Sequence, residues 1–74
     1  MHSMHVLGKT GDTRTTWDPD DAESVHNAER LFAGYQEARC LAFSVEEPGG
    51  GAIQIRAFDP AAQEIIVTRP LAGG

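Results

Sequence analysis

The chain is predicted to be an α+β protein of two layers, with a single helix laid across one face of a small, antiparallel-rich sheet in the order β β α β β β. Three observations predict this. Residues 22 to about 38 repeat apolar side chains at three- and four-residue steps, the flanking segments switch to a period of two, and clusters of Gly, Pro and Asp mark the joins. At 74 residues the chain is one domain, 1–74, near the size at which a single core is barely enough to fold.

The first strand is weakly marked. Met1 to His5 reads as a loose start without function, and from Met4 the pattern becomes strand-like, with Val6 and Leu7 on opposite faces. Gly8 to Gly11 form a turn, and residues 13–17 follow as a second strand rich in β-branched and aromatic side chains. Trp17 is expected over the edge of the core, its indole N–H keeping a polar partner.

Asp18-Pro19-Asp20-Asp21 is a turn running into the helix. Asp20 is expected as the N-cap, with Glu23 reaching back as a capping box. Val25, Ala28, Leu31, Phe32 and Tyr35 then form the apolar stripe, while Glu23, Asn27 and Arg30 fall on the far side. Gly34 costs about 1 kcal/mol against alanine, which predicts either a close packing contact there or fraying of the last turn.

Beyond the helix, Leu41, Phe43 and Val45 alternate with smaller or polar residues, and this stripe is expected beneath the helix. Pro48 to Gly51 turn the chain. Ile53, Ile55 and Ala57 form the next apolar face, with Phe58 closing that strand. Asp59-Pro60-Ala61-Ala62 has the residues of a type I turn, with proline at its second position, and residues 64–68 form the last strand.

The chain finishes Arg69-Pro70-Leu71-Ala72-Gly73-Gly74. Pro70 cannot donate to a ladder and ends regular pairing. Residues 69–74 are therefore expected as a flexible tail, and the stretch from Thr68 to Gly74, fully extended, would reach roughly 23 Å. Gly73 and Gly74 offer the least steric resistance to an active site that must take in a chain end. A carboxylate delivered that way can be turned into an acyl-adenylate, an electrophile for a thiol or amine, with the activating enzyme performing the chemistry. Many domains, however, end in small residues that do nothing.

The formal charge of −5 argues against nucleic-acid binding and favours basic or protein partners. Cys40 is the single cysteine, so an internal disulfide and a thiolate zinc cage are both excluded, and a reduced, cytoplasmic setting is expected. No membrane span and no secretory signal are expected.

The pattern of the chain resembles the ubiquitin-like β-grasp family, which takes in ubiquitin and the bacterial sulfur carriers of thiamine and molybdopterin synthesis. Met4-His5-Val6-Leu7-Gly8-Lys9-Thr10 is similar to the family opening M-Q-I-F-V-K-T, Gly11-Asp12-Thr13-Arg14-Thr15 to G-K-T-I-T, and Pro19-Asp20-Asp21 to Val25 to the helix entry P-S-D-T-I-E-N-V. Pro70-Leu71-Ala72-Gly73-Gly74 resembles the P-x-x-G-G ends of the molybdopterin-type carriers.

The resemblance implies a β-grasp-like sheet of four to five mixed strands. It also implies an adenylating, ubiquitin-activating-type enzyme as partner, a conjugating enzyme or target protein, and no cofactor of the chain's own. Gly73 and Gly74 would be the activated end, and Arg69, Pro70, Leu71 and Ala72 would position the tail in the partner. Lys9, the only lysine, would be the internal acceptor for self-conjugation. The exposed face of the sheet would serve for docking. The family pattern sets one condition on the fold. Two short turns joining the last three strands read as a meander, whereas a β-grasp sends its last strand to the sheet centre beside the first. The two agree only if residues 52–58 form a peripheral strand.

Other candidates have simpler readings. Cys40 has no histidine near it in sequence and fits an inert, half-buried thiol better than a nucleophile. His2 and His5 share an H-x-x-H spacing on the loose arm, too few ligands held too loosely for a metal. His26 is expected at the solvent boundary of the helix. Asp18, Asp20, Asp21 and Glu23 lack calcium-loop spacing and are explained by capping, and Glu46 and Glu47 by solvated strand ends. No nucleophile stands with a base and no glycine loop precedes a helix, so catalysis by the chain itself is not expected. Against the carrier reading stands a non-catalytic interaction module, such as a phage or defence-system accessory protein binding by its sheet edge or helix.

Overall fold

The structure, a computed structural model, describes residues 2–8, 11–46 and 50–69. Five strands and one helix form two layers: β1 (His2–Leu7), β2 (Asp12–Trp17), α1 (Ala22–Glu37), β3 (Leu41–Val45), β4 (Ala52–Ile55) and β5 (Glu64–Thr68). The sheet is mixed, in the order β2-β1-β5-β3-β4. The last strand therefore lies at the centre, parallel to β1 and antiparallel to β3, and β4 is an edge strand. This meets the condition set above, and the order is compatible with a β-grasp.

β1 starts earlier than expected. His2 and Ser3 are not a loose arm: they pair with Trp17 and Thr16, and Ser3 also lies beside Glu64. The His2 ring stacks on Trp17 with centroids 5.7 Å apart, and its Nδ1–H donates to the Ala62 carbonyl at 2.6 Å. An aromatic partner and a fixed hydrogen bond anchor a segment whose letters carry little strand propensity. Gly8 closes the turn into β2, and a β-carbon there would collide with the Gly11 carbonyl oxygen.

The helix is capped by Asp21, not Asp20. The Asp21 carboxylate accepts from the Glu23 N–H at 3.2 Å. Asp20 is held inside the preceding turn, its N–H donating to the Asp18 carboxylate while Asp21 N–H donates to the Asp18 carbonyl. Asp59-Pro60-Ala61-Ala62 repeats that arrangement, with Ala61 N–H on the Asp59 carboxylate and Ala62 N–H on the Asp59 carbonyl. The expected four-residue turn is thus present, and two Asp-Pro turns share one hydrogen-bonding pattern.

Gly34 is exposed and nothing lies within 4 Å of the position a β-carbon would take, so no packing contact explains it. The helix nevertheless runs to Glu37 and ends in a Schellman motif, Cys40 N–H donating to Tyr35 O and Arg39 N–H to Gln36 O. Arg39 takes the left-handed conformation this demands, at φ 66°.

Met4, Ile65, Val67 and Ala42 form the buried floor beneath Ala28 and Phe32, with Trp17 and Ala62 at one side and Val6, Val25, Tyr35, Ile55 and Phe58 packed around them. Trp17 is 1% exposed, and its indole N–H donates to Pro60 O at 3.0 Å, the polar partner expected of it. Phe58 lies outside β4, which stops at Ile55, and it packs edge-on against Trp17 at 5.0 Å and near Phe32 at 5.8 Å.

The expectation for β3 is inverted. Ala42 and Ser44 face the helix and are buried, whereas Leu41, Phe43 and Val45 point to the opposite face and are half-buried. The cause is volume. Trp17, Phe32, Phe58 and Met4 already fill the space under the helix, and close packing leaves room there only for small side chains. Ile53 likewise escapes the core and is 64% exposed.

Candidate functional site

Two features of the fold bear on function: the end of β5, which residues 69–74 follow in sequence, and the sheet face that the helix leaves open. β5 ends at Thr68, opposite Leu41, and Arg69 beyond it is exposed. Pro70, Leu71, Ala72, Gly73, Gly74 and Lys9 lie outside the described residues.

The open face follows from the register. Arg14, His5, Ile66, Phe43 and Gln54 form one row across all five strands. Thr16, Ser3, Glu64, Val45 and Ala52 form the next, and Leu41 stands beside Thr68 in a third. Phe43, Ile66, Leu41 and Val45 thus make an apolar centre on the adjacent inner strands β3 and β5. A polar margin surrounds it, including His5 and Glu64, whose Nε2 and Oε2 atoms approach to 3.4 Å. Such a centre with a polar rim is the ordinary anatomy of a protein-docking surface. The alternation of Leu41, Phe43 and Val45 was visible in the sequence, but which face it occupied was not.

The remaining candidates are placed apart from one another. Cys40 is half-buried against the core, just past the helix C-cap. His2 faces Trp17, His5 lies on the open face, and His26 is exposed on the helix. Asp18 and Asp21 are engaged in turn and capping hydrogen bonds, and the Ser24 hydroxyl donates to the Asp18 and Asp21 carbonyls. Among the described residues no three His, Cys, Asp or Glu side chains converge to hold a metal ion. A shallow cleft between helix and β4–β5 connection, floored by Phe32 and Phe58 and edged by Glu29, Glu37 and Arg56, holds no nucleophile beside a base. No helix among the described residues is long and apolar enough to cross a membrane.

Comparison with protein-family models, with curated proteins and with solved structures finds no match to this chain. The functional reading therefore stands on the arrangement of the strands and on the residues at the end of β5.

Proposed function

We propose that the chain is a ubiquitin-like protein modifier whose Gly74 carboxylate is adenylated by an activating enzyme and transferred to a protein amine. In the first step the carboxylate attacks the α-phosphorus of ATP and pyrophosphate leaves. A thiol of the enzyme then displaces AMP, and the target amine displaces the thiol to form an amide. The chain supplies the carried group and its docking surface, not the catalyst.

The observation that carries this reading is the central place of β5 between β1 and β3. A strand held on both sides is a firm base from which to present a chain end, and Thr68, its last residue, lies in the interior of the sheet rather than at an edge. Arg69 to Ala72 then act as the positioning segment and Gly73-Gly74 as the reacting end. The open face, centred on Phe43 and Ile66, supplies the docking surface.

The test is mass spectrometry of the full chain after incubation with ATP and a cognate adenylating enzyme. An AMP or thioester adduct on Gly74 is expected, and its absence with every adenylating partner tried would overturn the reading. A second reading, the sulfur carrier, is favoured by composition, because Lys9 is the only lysine and a carrier that forms no isopeptides needs none. A thiocarboxylate on Gly74 selects the carrier, and a branched peptide bearing the tail remnant selects the modifier. If the chain is instead a non-catalytic interaction module, removal of Gly73 and Gly74 leaves its activity intact.

A further inference from the structure

The net charge of −5 points to basic partners, but the fold does not spread that charge evenly. Leu41 at the start of β3, Ile55 at the end of β4 and Thr68 at the end of β5 all lie at one end of the sheet, since Leu41 pairs with Thr68 and its neighbour Ala42 with Ile55. Just beyond that end stand Arg39, Arg56 and Arg69, all exposed. No ion pair joins any of them to a carboxylate among the described residues. The carboxylates nearest this end in the fold are Asp12, opposite Leu7, Glu37 in the last turn of the helix, and Glu29, which with Glu37 edges the cleft that Arg56 also lines.

The opposite end, where His2 pairs with Trp17 and Val45 with Glu64, is its inverse. Asp18, Asp20, Asp21 and Glu23 enter the helix there, and Glu46 and Glu64 flank the strand ends, with no Lys or Arg among the described residues around them. A five-residue strand spans about 16 Å, roughly two Debye lengths at physiological salt, so a partner at one end is largely screened from the charge at the other.

Backbone geometry adds an independent sign. Arg39 holds a left-handed conformation at φ 66°, in a Schellman position that glycine fills without strain. An arginine there carries a conformational cost, and such strain is the usual starting point for a functional hypothesis.

We propose that the arginine end, formed by Arg39, Arg56 and Arg69 with Leu41 and Phe43 of the adjoining open face, docks an acidic surface of a partner protein. Guanidinium groups match carboxylates bidentately, and the apolar pair beside them gives the contact a dry centre. A nucleic acid fits poorly, because three cations with three carboxylates nearby and an overall charge of −5 offer little counterion release. The proposal deepens the modifier reading by giving the chemistry of the partner's surface. It is tested on the unactivated chain, so docking can fail while activation succeeds, and the reverse.

The experiment is an amide chemical-shift titration of the isotope-labelled full chain. The probes are two short peptides with the same Leu-Phe-Leu centre, flanked by glutamates in one and by lysines in the other, and a single-stranded oligonucleotide. The glutamate peptide is expected to move amides of residues 39–41, 55–57 and 68–69, with affinity falling about tenfold between roughly 0.05 and roughly 0.3 M salt. The triple variant Arg39→Glu, Arg56→Glu, Arg69→Glu should lose those shifts, and Arg39→Gly, which relieves backbone strain, should weaken them without harming the fold. The proposal is overturned if the lysine peptide moves the same amides as strongly, if the oligonucleotide displaces the glutamate peptide, or if the triple variant keeps the response.

Discussion

The indole N–H of Trp17 donates to the carbonyl oxygen of Pro60 over 3.0 Å, joining the end of β2 to the connection that returns the chain from β4 to β5. Phe58 packs edge-on against the same ring, so one side chain holds that connection by both a polar and an apolar contact. Trp17→Phe keeps much of the apolar contact but leaves a part-buried carbonyl without its donor. It should lower stability by about 2 kcal/mol. Urea unfolding should show a lower midpoint with an unchanged slope; an unchanged midpoint would mean that the hydrogen bond contributes nothing.

Ile65 and Ile66 are sequence neighbours with opposite fates. Ile65 is fully buried under the helix and Ile66 is half-buried on the open face. Ile65→Ala should cost about 3 kcal/mol, in the range for a cavity in a packed core, and Ile66→Ala about 1 kcal/mol. Equal costs would place a second packed layer over the open face and remove it as a docking surface. Thermal or urea melts of the two variants side by side decide the point.

Local chemistry was legible in the sequence and the disposition of faces was not. The Asp59-Pro60 turn, the polar partner of Trp17, the helix stripe through Ala28 and Phe32, and the order of elements all follow from residue types and spacing. By residue type Asp20 and Asp21 both suit the cap; the Asp18 carboxylate settles the matter by holding the Asp20 N–H within the preceding turn. The inverted face of β3 could not be read locally. Period-two alternation reports that two faces differ, whereas which one meets the helix depends on the volume contributed by Trp17, Phe32 and Phe58 from elsewhere. His2 was missed for a similar reason, since its partners Trp17 and Ala62 are distant in sequence. For the tail, Gly73-Gly74 is legible as letters, and only the central position of β5 gives those letters a structural base.

Arg39→Gly separates stability from docking. Glycine adopts the left-handed conformation at φ 66° freely, but it also gains entropy in the unfolded chain, so the net gain should be about 0.5–1 kcal/mol. The melting temperature should rise, while the response to the glutamate-flanked peptide weakens. A fall in melting temperature would show that the arginine side chain makes a stabilising contact worth more than the strain it imposes.

Ser44 offers the sharpest test of the packing beneath the helix. It is 5% exposed, lies between Ile53 and Ile65 on the helix-facing side of β3, and its hydroxyl has no hydrogen-bond partner. A hydroxyl taken out of water without compensation is a net cost, so deleting the oxygen should help. Ser44→Ala removes the unpaired group and leaves only a small void, and stability should rise by about 1 kcal/mol. For a domain of this size that corresponds to a melting temperature higher by roughly 4–8 °C. A loss of 1 kcal/mol or more would instead mean that the hydroxyl is satisfied in solution by a buried water, which a high-resolution crystal structure of the wild-type chain would locate beside Ser44 in the space lined by Glu46, Gly51 and Ile53.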